Sequence, residues 1–203
     1  MLNFPFAAVL MAGGQSSRMG FDKADARIAG ESLWKRQLAM LRQLNPALLF
    51  ISGRPGTAYP DAGCPVITDL VPGAGPLGGL VTALREGSPE LLLVLAVDMP
   101  AMRPQLLEDL LIRARRASRS VIPRGAAGFE PLAAVYHSSS LPIAEECLRE
   151  GARSMRALIT RLQRLQLAEV YTIGENEMPF FRNVNTPEEL AAAEIMLRGQ
   201  SEG

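Results

Sequence analysis

Short apolar runs alternate with amphipathic stretches along the chain as far as Ser120. The apolar runs are strand-sized, and the stretches after most of them place apolar residues at helical spacing. Strands that alternate with helices are typical of a parallel sheet covered on both faces. We therefore predict an α/β fold with a doubly wound, mostly parallel sheet. The predicted units are AAVLMA with LWKRQLAMLRQL, ALLFIS with a turn-rich stretch, PVITDL with GGLVTALREG, and LLLVLAVD with PQLLEDLLIRARR.

The pattern changes after Ser120. VIPRGAAGFEPLAAVY predicts two extended pieces around a Gly/Ala turn, and LPIAEECLREGARSMRALITRLQRL predicts helix. EVYTIG and FFRNVN are interpreted as strands. In the last helix, Thr186 is the expected N-cap, Pro187 the first residue and Glu189 the capping-box partner. We expect one domain over residues 1–203, with a small inserted hairpin and helix.

Composition narrows the class of protein. The chain has 203 residues, 48% of them hydrophobic, which suits one folded domain. Basic and acidic residues both number 21, so no net charge attracts nucleic acid. Two cysteines are too few for a disulfide framework, and the N-terminus lacks the features of a signal peptide. The longest apolar run is too short to span a membrane, so we expect a cytoplasmic protein.

A glycine-rich loop follows the first predicted strand and precedes the first long helix. This places it at the carboxyl edge of the sheet, where open α/β folds bind ligands. Arg18 and Lys23 lie within the loop. Backbone amides, a guanidinium and an ammonium together suit a polyphosphate. The alternative is an ordinary glycine-rich turn with solvated charges.

Two carboxylates end predicted strands at the same edge. Asp98 follows the most apolar strand, and Mg²⁺ prefers one or two carboxylates together with substrate phosphates. Asp69 ends PVITD in the same way and is positioned to meet a ribose, a base or a metal-bound water. For both residues, the alternative is an Asp that caps the following turn.

The segment from Ala12 to Lys23, AGGQSSRMGFDK, resembles the A-G-G-x-S-x-R-M-G-x-D-K signature of the molybdenum cofactor guanylyltransferase family. Further family motifs occur in order: Gly-Pro-Leu at 75–77, Asp-Met-Pro at 98–100, Glu-Pro-Leu at 130–132, and Asn-Val-Asn-Thr-Pro-Glu-Glu-Leu at 183–190. The resemblance implies a Rossmann-like nucleotidyltransferase fold. It also implies transfer of GMP from GTP to the phosphate of molybdopterin, with Mg²⁺ as cofactor and release of pyrophosphate.

The resemblance assigns roles residue by residue. It implies that Arg18, Lys23 and Asp98 are catalytic and that Asp98 binds the metal. One departure is that Ile51-Ser52-Gly53 stands where the family has an asparagine that contacts GTP, so Ser52 or the backbone is expected to replace that contact. The residues expected to bind the nucleotide are Met11, Ala12, Gly13, Gly14, Lys23, Asp69 and Asp98.

The second half of the chain is expected to bind the second substrate, with residues 1–120 mainly binding the nucleotide and 121–203 mainly the acceptor. An anionic acceptor needs local positive charge, and five arginines lie between 149 and 164. A solvated helix face is the alternative for any one of them. The lone His137 is expected to be structural. The candidate residues for this substrate are Glu130, Arg153, Asn183 and Asn185.

The choice of nucleotide rests on two motifs. Met11-Ala12-Gly13-Gly14 and Gly75-Pro76-Leu77 resemble the guanylyl branch of the family more than the cytidylyl branch. Three alternatives stay open: a cytidylyltransferase on the same cofactor, a sugar-phosphate nucleotidyltransferase, and a non-catalytic nucleotide-binding partner in cofactor insertion. Proteins of cofactor biosynthesis or molybdoenzyme maturation are the expected protein partners.

Overall fold

The computed structural model describes residues 2–13, 26–54, 56–69, 71 and 73–201. The main sheet has eight strands, in the order β10-β7-β9-β6-β1-β4-β5, with β8 paired to β7, and β2 and β3 form a separate small hairpin. The strands are β1 (Ala7–Met11), β2 (Arg27–Ile28), β3 (Glu31–Ser32), β4 (Leu48–Gly53), β5 (Val66–Thr68), β6 (Leu91–Ala96), β7 (Ser120–Gly125), β8 (Gly128–Phe129), β9 (Ala133–His137) and β10 (Ala168–Thr172).

Helices cover both faces of this sheet. One face carries α1, α3 and α6, and the other carries α2, α4 and α5. Side chains of β6 alternate between the two layers, with Leu93 in one core and Val94 in the other, and both are fully buried. The helices are α1 (Leu33–Gln43), α2 (Pro76–Gly87), α3 (Pro104–Ala117), α4 (Ser140–Arg149), α5 (Met155–Arg164) and α6 (Pro187–Ser201).

The predicted α/β class is confirmed, and the sheet is mostly parallel. Strands β4, β5 and β6 run parallel to their neighbours in the first half of the chain. Strand β9 is antiparallel to both β6 and β7, so it enters the sheet from the opposite direction. The predicted hairpin region is therefore not a separate insertion, because β7, β8 and β9 all belong to the main sheet, with β8 paired to β7.

Two local predictions were wrong. The helical stretch after residue 140 is broken, because Gly151 has φ +76° and ends α4 in a Schellman motif, with Ala152 N–H donating to Cys147 O at 2.8 Å. The segment FFRNVN is not a strand. Its aromatic residues instead finish a 3-10 helix, Met178–Phe181, in which Phe181 is buried and Phe180 stacks under the Arg103 guanidinium at 4.0 Å.

The predicted start of α6 is confirmed in detail. Glu189 N–H donates to Thr186 Oγ1 at 3.2 Å, and Glu189 Oε2 accepts from the N–H groups of Asn185 at 2.6 Å and Thr186 at 3.1 Å. These reciprocal bonds form a capping box. No helix in the described part of the chain is long and apolar enough to cross a membrane.

Replacing Ser118 by glycine is expected to stabilise the protein. Ser118 ends α3 in the left-handed region, at φ +49° and ψ +42°. An L-residue there costs roughly 1–2 kcal/mol, whereas glycine costs about 0.4–1 kcal/mol of extra unfolded-chain entropy. We expect Ser118→Gly to raise the free energy of unfolding by roughly 0.5–1 kcal/mol, measured by chemical denaturation.

The matched control is Ser154→Ala. The Ser154 side chain accepts from Ala157 N–H at 3.2 Å and caps α5, so its loss should lower stability by about 1 kcal/mol. A decrease for both variants would contradict the proposed strain at Ser118.

Candidate active site

The carboxyl ends of four parallel strands meet at one edge of the sheet. Strand β1 pairs with β4 on one side and with β6 on the other, and β5 lies beyond β4. Met11 is aligned with both Ser52 and Ala96. Since β9 is antiparallel to β6, the start of β9 rather than its end reaches this edge. The loops after β1, β4, β5 and β6 therefore border the same region.

The first residues of the glycine-rich loop are fixed by their neighbours. Ala12 N–H donates to Ser52 O at 2.8 Å, and Met11 O accepts from Val97 N–H at 3.1 Å. Gly13 is exposed, and its carbonyl accepts from Arg54 Nε at 2.9 Å. The structure thus brings three of the predicted nucleotide residues to the edge. Gly14, Arg18 and Lys23 lie outside the described residues.

Asp69 packs against the first turn of α2. A Cβ atom at Gly79 would lie 2.6 Å from Met11 Cε, 2.8 Å from Ser52 Oγ and 3.2 Å from Asp69 Oδ1, so only glycine fits there. The half-buried carboxylate therefore lies beside the positive end of the α2 helix dipole. Burial raises the pKa of Asp69.

The segment that departs from the family pattern has little room for a longer side chain. Ile51 is fully buried in the core, and Ser52 is 3% exposed with its hydroxyl near Gly79. A Cβ at Gly53 would lie 2.8 Å from the ring of Tyr59. An asparagine at Gly53 would therefore require Tyr59 to move, and one at Ile51 would bury an amide in the core.

Three backbone carbonyls of the Asp98 loop accept hydrogen bonds from donors in other parts of the chain. Asp98 O accepts from Val184 N–H at 2.8 Å, and Pro100 O accepts from Arg36 Nε at 3.4 Å. Between them, Met99 O accepts from the side-chain amide of Gln37, which is 1% exposed. Donors from α1 and from the chain before α6 thus fix the backbone that carries Asp98.

Glu130 lies at the same edge, at the turn that leads into β9. Its N–H donates to Pro123 O at 2.8 Å, and the next carbonyl, that of Pro131, accepts from the buried Tyr136 hydroxyl at 2.9 Å. Burial, together with the negative charge of Asp98, raises the pKa of Glu130. The negative charge of Asp98 therefore acts on the Glu130 carboxyl.

Asp98 and Glu130 are the two carboxylates at this edge that would hold a divalent cation. Within the described ranges, no three or more His, Cys, Asp or Glu side chains form a metal-binding group. Mg²⁺ does not need such a cage, because it commonly takes one or two carboxylates and completes its shell with substrate phosphates and waters. Asp98 and Glu130 together would make a donor set of that size.

The other predicted acceptor residues lie in two places. The bond from Val184 to Asp98 brings Asn183 and Asn185 next to the Asp98 loop. Arg153, in the exposed turn between α4 and α5, lies on the α2 side, with Nη1 3.5 Å from Gly73 O. Arg161 is engaged elsewhere, since it forms an ion pair with Glu150.

Sequence reasoning missed two residues that shape the site. Gln37 and Arg54 contact the loops of the candidate site through hydrogen bonds that are long-range in sequence. Only Arg54 could have been found from the sequence, because it is a basic residue just after a predicted strand, where the ligand-binding edge was expected. The ring of His137 bonds with Ser139 two residues on, in keeping with the structural role expected for it.

Comparisons with known proteins agree with this architecture. Residues 8–167 match the MobA-like NTP transferase domain family. The chain is 38% identical over 186 residues to a probable molybdenum cofactor guanylyltransferase from Opitutus terrae, covering 90% of this chain and 92% of that protein. It is 31% identical over 199 residues to a protein of the same description from Pelotomaculum thermopropionicum, covering 96% and 95%.

Solved structures share the fold. The molybdopterin-guanine dinucleotide biosynthesis protein A from Archaeoglobus fulgidus superposes with a TM-score of 0.80 at 25% identity, covering 95% of this chain and 99% of that one. The 2-C-methyl-D-erythritol 4-phosphate cytidylyltransferase from Thermus thermophilus superposes with a TM-score of 0.71 at 19% identity, covering 94% and 98%. The second match indicates a common fold alone.

Glu130→Gln is expected to stabilise the protein at pH 7 in the absence of divalent cations. A carboxyl whose pKa is raised on folding binds its proton more tightly in the folded state. Stability is therefore lost as pH rises from the unfolded value, about 4.3, through the raised folded value. Thermal denaturation between pH 4 and pH 8 should show the advantage of the glutamine variant growing with pH.

Glu169→Gln, at an exposed position on β10, is the matched control and should change the melting temperature little at either end of this range. A stability difference between Glu130→Gln and the unmodified protein that is constant with pH would contradict the raised pKa of Glu130.

Proposed function

Because the chain belongs to the MobA-like NTP transferase family, we propose that it transfers GMP from GTP to molybdopterin and releases pyrophosphate. One observation carries this proposal: the start of the glycine-rich loop, the Asp69 contact with α2 and the Asp98 loop all border one edge of the sheet. Ligands of open α/β folds bind at this edge. The names of the relatives supply the substrate class.

The nucleotide is bound mainly by the first half of the chain, residues 1–120. Met11 to Gly14 approach it through the backbone, and Asp69 faces it from the first turn of α2. Lys23 and Arg18 bind the triphosphate, because an ammonium and a guanidinium form strong charge-assisted hydrogen bonds with phosphate oxygens. The fixed carbonyls of Met11 and Gly13 support this arrangement, since they hold the loop at its first residues.

The reaction needs no covalent enzyme intermediate. A phosphate oxygen of molybdopterin attacks the α-phosphorus of GTP in line, and the bond from that phosphorus to the bridging oxygen of pyrophosphate breaks. Negative charge grows on the leaving pyrophosphate, where Lys23 and Arg18 offset it. The rate enhancement comes from positioning and electrostatic stabilisation.

Asp98, with Glu130 beside it, would hold Mg²⁺. When bound, the ion would neutralise phosphate charge and orient the phosphates for in-line displacement. The chain's own contribution is to keep the Asp98 backbone fixed through Gln37, Arg36 and Val184. The electrostatic repulsion between the two carboxylates supports cation binding, because a cation relieves it.

Molybdopterin is bound mainly by residues 121–203, with Asn183 and Asn185 beside Asp98 and Arg153 on the α2 side. Glu130 lies between the two substrates in this arrangement. We place the protein in the cytoplasm. The free thiols of Cys64 and Cys147 agree with a reducing compartment.

GTP is expected to exceed CTP in catalytic efficiency by at least roughly tenfold, which requires only about 1.4 kcal/mol of differential transition-state binding. A pocket that forms hydrogen bonds with one base leaves polar groups unpaired against the other. Pyrophosphate release from each nucleotide, with molybdopterin as acceptor, measures the ratio. Equal use of both nucleotides, or a preference for CTP, would move the chain to the cytidylyl branch.

Asp98→Asn is expected to lower kcat by at least roughly a hundredfold, or about 2.7 kcal/mol, because it removes the carboxylate charge that binds the metal. The fold should survive, since an asparagine of equal size leaves the backbone bonds in place. Pyrophosphate release is measured across a Mg²⁺ titration. Asp109→Asn, at an exposed position on α3, is the control. Unchanged activity of Asp98→Asn at every Mg²⁺ concentration would remove Asp98 from the site.

A further inference from the structure

The guanidinium of Arg54 lies where β1 and β4 end, in contact with the glycine-rich loop. Its Nε donates to Gly13 O at 2.9 Å. A Cβ atom at Gly13 would lie 3.8–3.9 Å from Gly53, Arg54 and Ser52, so the two chain segments are in van der Waals range of each other. Arg54 is thus hydrogen-bonded to Gly13, a residue expected to bind the nucleotide.

The backbone of Arg54 also forms a hydrogen bond. Thr57 N–H donates to Arg54 O at 3.2 Å, and Gly56 has φ +83°. The preceding strand is paired with β1 up to Ser52. Strand pairing before Arg54 and the Thr57 hydrogen bond after it therefore position its backbone.

One nitrogen of this guanidinium forms no hydrogen bond within the described part of the chain. Nη2 of Arg54 is buried and has no hydrogen-bond partner there. An arginine side chain stays protonated, so this nitrogen remains a charged donor. Leaving a buried donor unpaired is costly, and most such groups in folded proteins find a partner. A bound acceptor would remove that cost, once the atoms that cover Nη2 in the free protein move aside.

We propose that Arg54 is a nucleotide-binding residue, whose Nη2 donates to an acceptor oxygen of the bound nucleoside triphosphate while Nε keeps Gly13 in place. This inference rests on the proposed function for the identity of the ligand. Two parts of a guanine nucleotide offer such an oxygen, the phosphates and the carbonyl edge of the base. A planar guanidinium fits both.

The test is equilibrium binding, measured by titration calorimetry without molybdopterin. Arg54→Met removes every donor and keeps most of the apolar stem, and Arg54→Lys keeps the charge without the planar fork. We expect Arg54→Met to weaken GTP binding at least tenfold. Arg42→Met is the matched control, because Arg42 also donates to a loop carbonyl, that of Ala62, and should leave GTP binding within twofold.

Two further ligands identify the acceptor. If Nη2 contacts a phosphate, Arg54→Met weakens binding of inorganic tripolyphosphate but not of guanosine, and Arg54→Lys recovers part of the loss. If Nη2 contacts the base, guanosine binding is weakened and lysine recovers little. GTP binding by Arg54→Met within twofold of the unmodified protein would overturn the proposal.

Loss of GTP binding could also follow if Arg54 only fastens Gly13, so a direct readout is needed. The side-chain Nη protons of Arg54, assigned in ¹⁵N-arginine NMR spectra by their loss in Arg54→Met, should shift when GTP is added. Unmoved Nη signals in the GTP complex would overturn the nucleotide contact. The binding experiments do not depend on turnover. GTP binding without release of pyrophosphate in the presence of molybdopterin would contradict the proposed function, and the result for Arg54 would still stand. If CTP alone binds, the same comparisons are made with CTP and cytidine.

Discussion

Parallel pairing of β1 with β4 and β6 is the constraint on which the rest of the site depends. The register aligns Met11 with Ser52 and with Ala96, so three strands end at nearly the same level. In a parallel sheet the chain must leave each strand at the same edge, and side chains placed just after the strands are gathered there. Asp69, Asp98 and the start of the glycine-rich loop, which are distant in sequence, are neighbours for this reason. The antiparallel β9 adds Glu130 because its beginning lies at that edge.

Bringing the strand ends together does not by itself fix the loops that follow them. These loops are held by hydrogen bonds from other elements. The carbonyl of Gly13 is held by Arg54, and the carbonyls of Asp98 and Met99 are held by Val184 and Gln37. Each donor comes from another element, so the loops are cross-linked to the scaffold by hydrogen bonds. Such support from surrounding groups is what keeps a binding site near its productive geometry.

The sequence predicts the strands and helices better than the long-range hydrogen bonds that hold the loops of the site. Runs such as LLLVLAVD and stretches such as PQLLEDLLIRARR carry their periodicity locally, and the structure has β6 and α3 there. Asp98 was placed at the edge by the same logic, since a residue after a buried strand must lie there. The strand prediction for FFRNVN was wrong because its two aromatic residues end a 3-10 helix, and Phe180 packs against Arg103 at the start of α3. No local sequence pattern indicates these contacts. The bonds made by Gln37 and Arg54 span 62 and 41 residues, so they follow from tertiary packing.

The electrostatics of the site follow from the same crowding. The chain has no net charge, so a polyanionic substrate must be attracted by groups placed locally. Strand ends bring Asp98 and Glu130 close enough for one to raise the pKa of the other, and they leave a buried nitrogen of Arg54 without a partner among the described residues. Both features are unfavourable in the free protein. In the proposed function a cation would relieve the first and a nucleotide oxygen the second, so part of the cost of assembling the site would be recovered when both ligands bind. A carboxyl with a raised pKa and a buried donor without a partner thus occur together at one sheet edge, and they distinguish the candidate site from the well-packed scaffold around it.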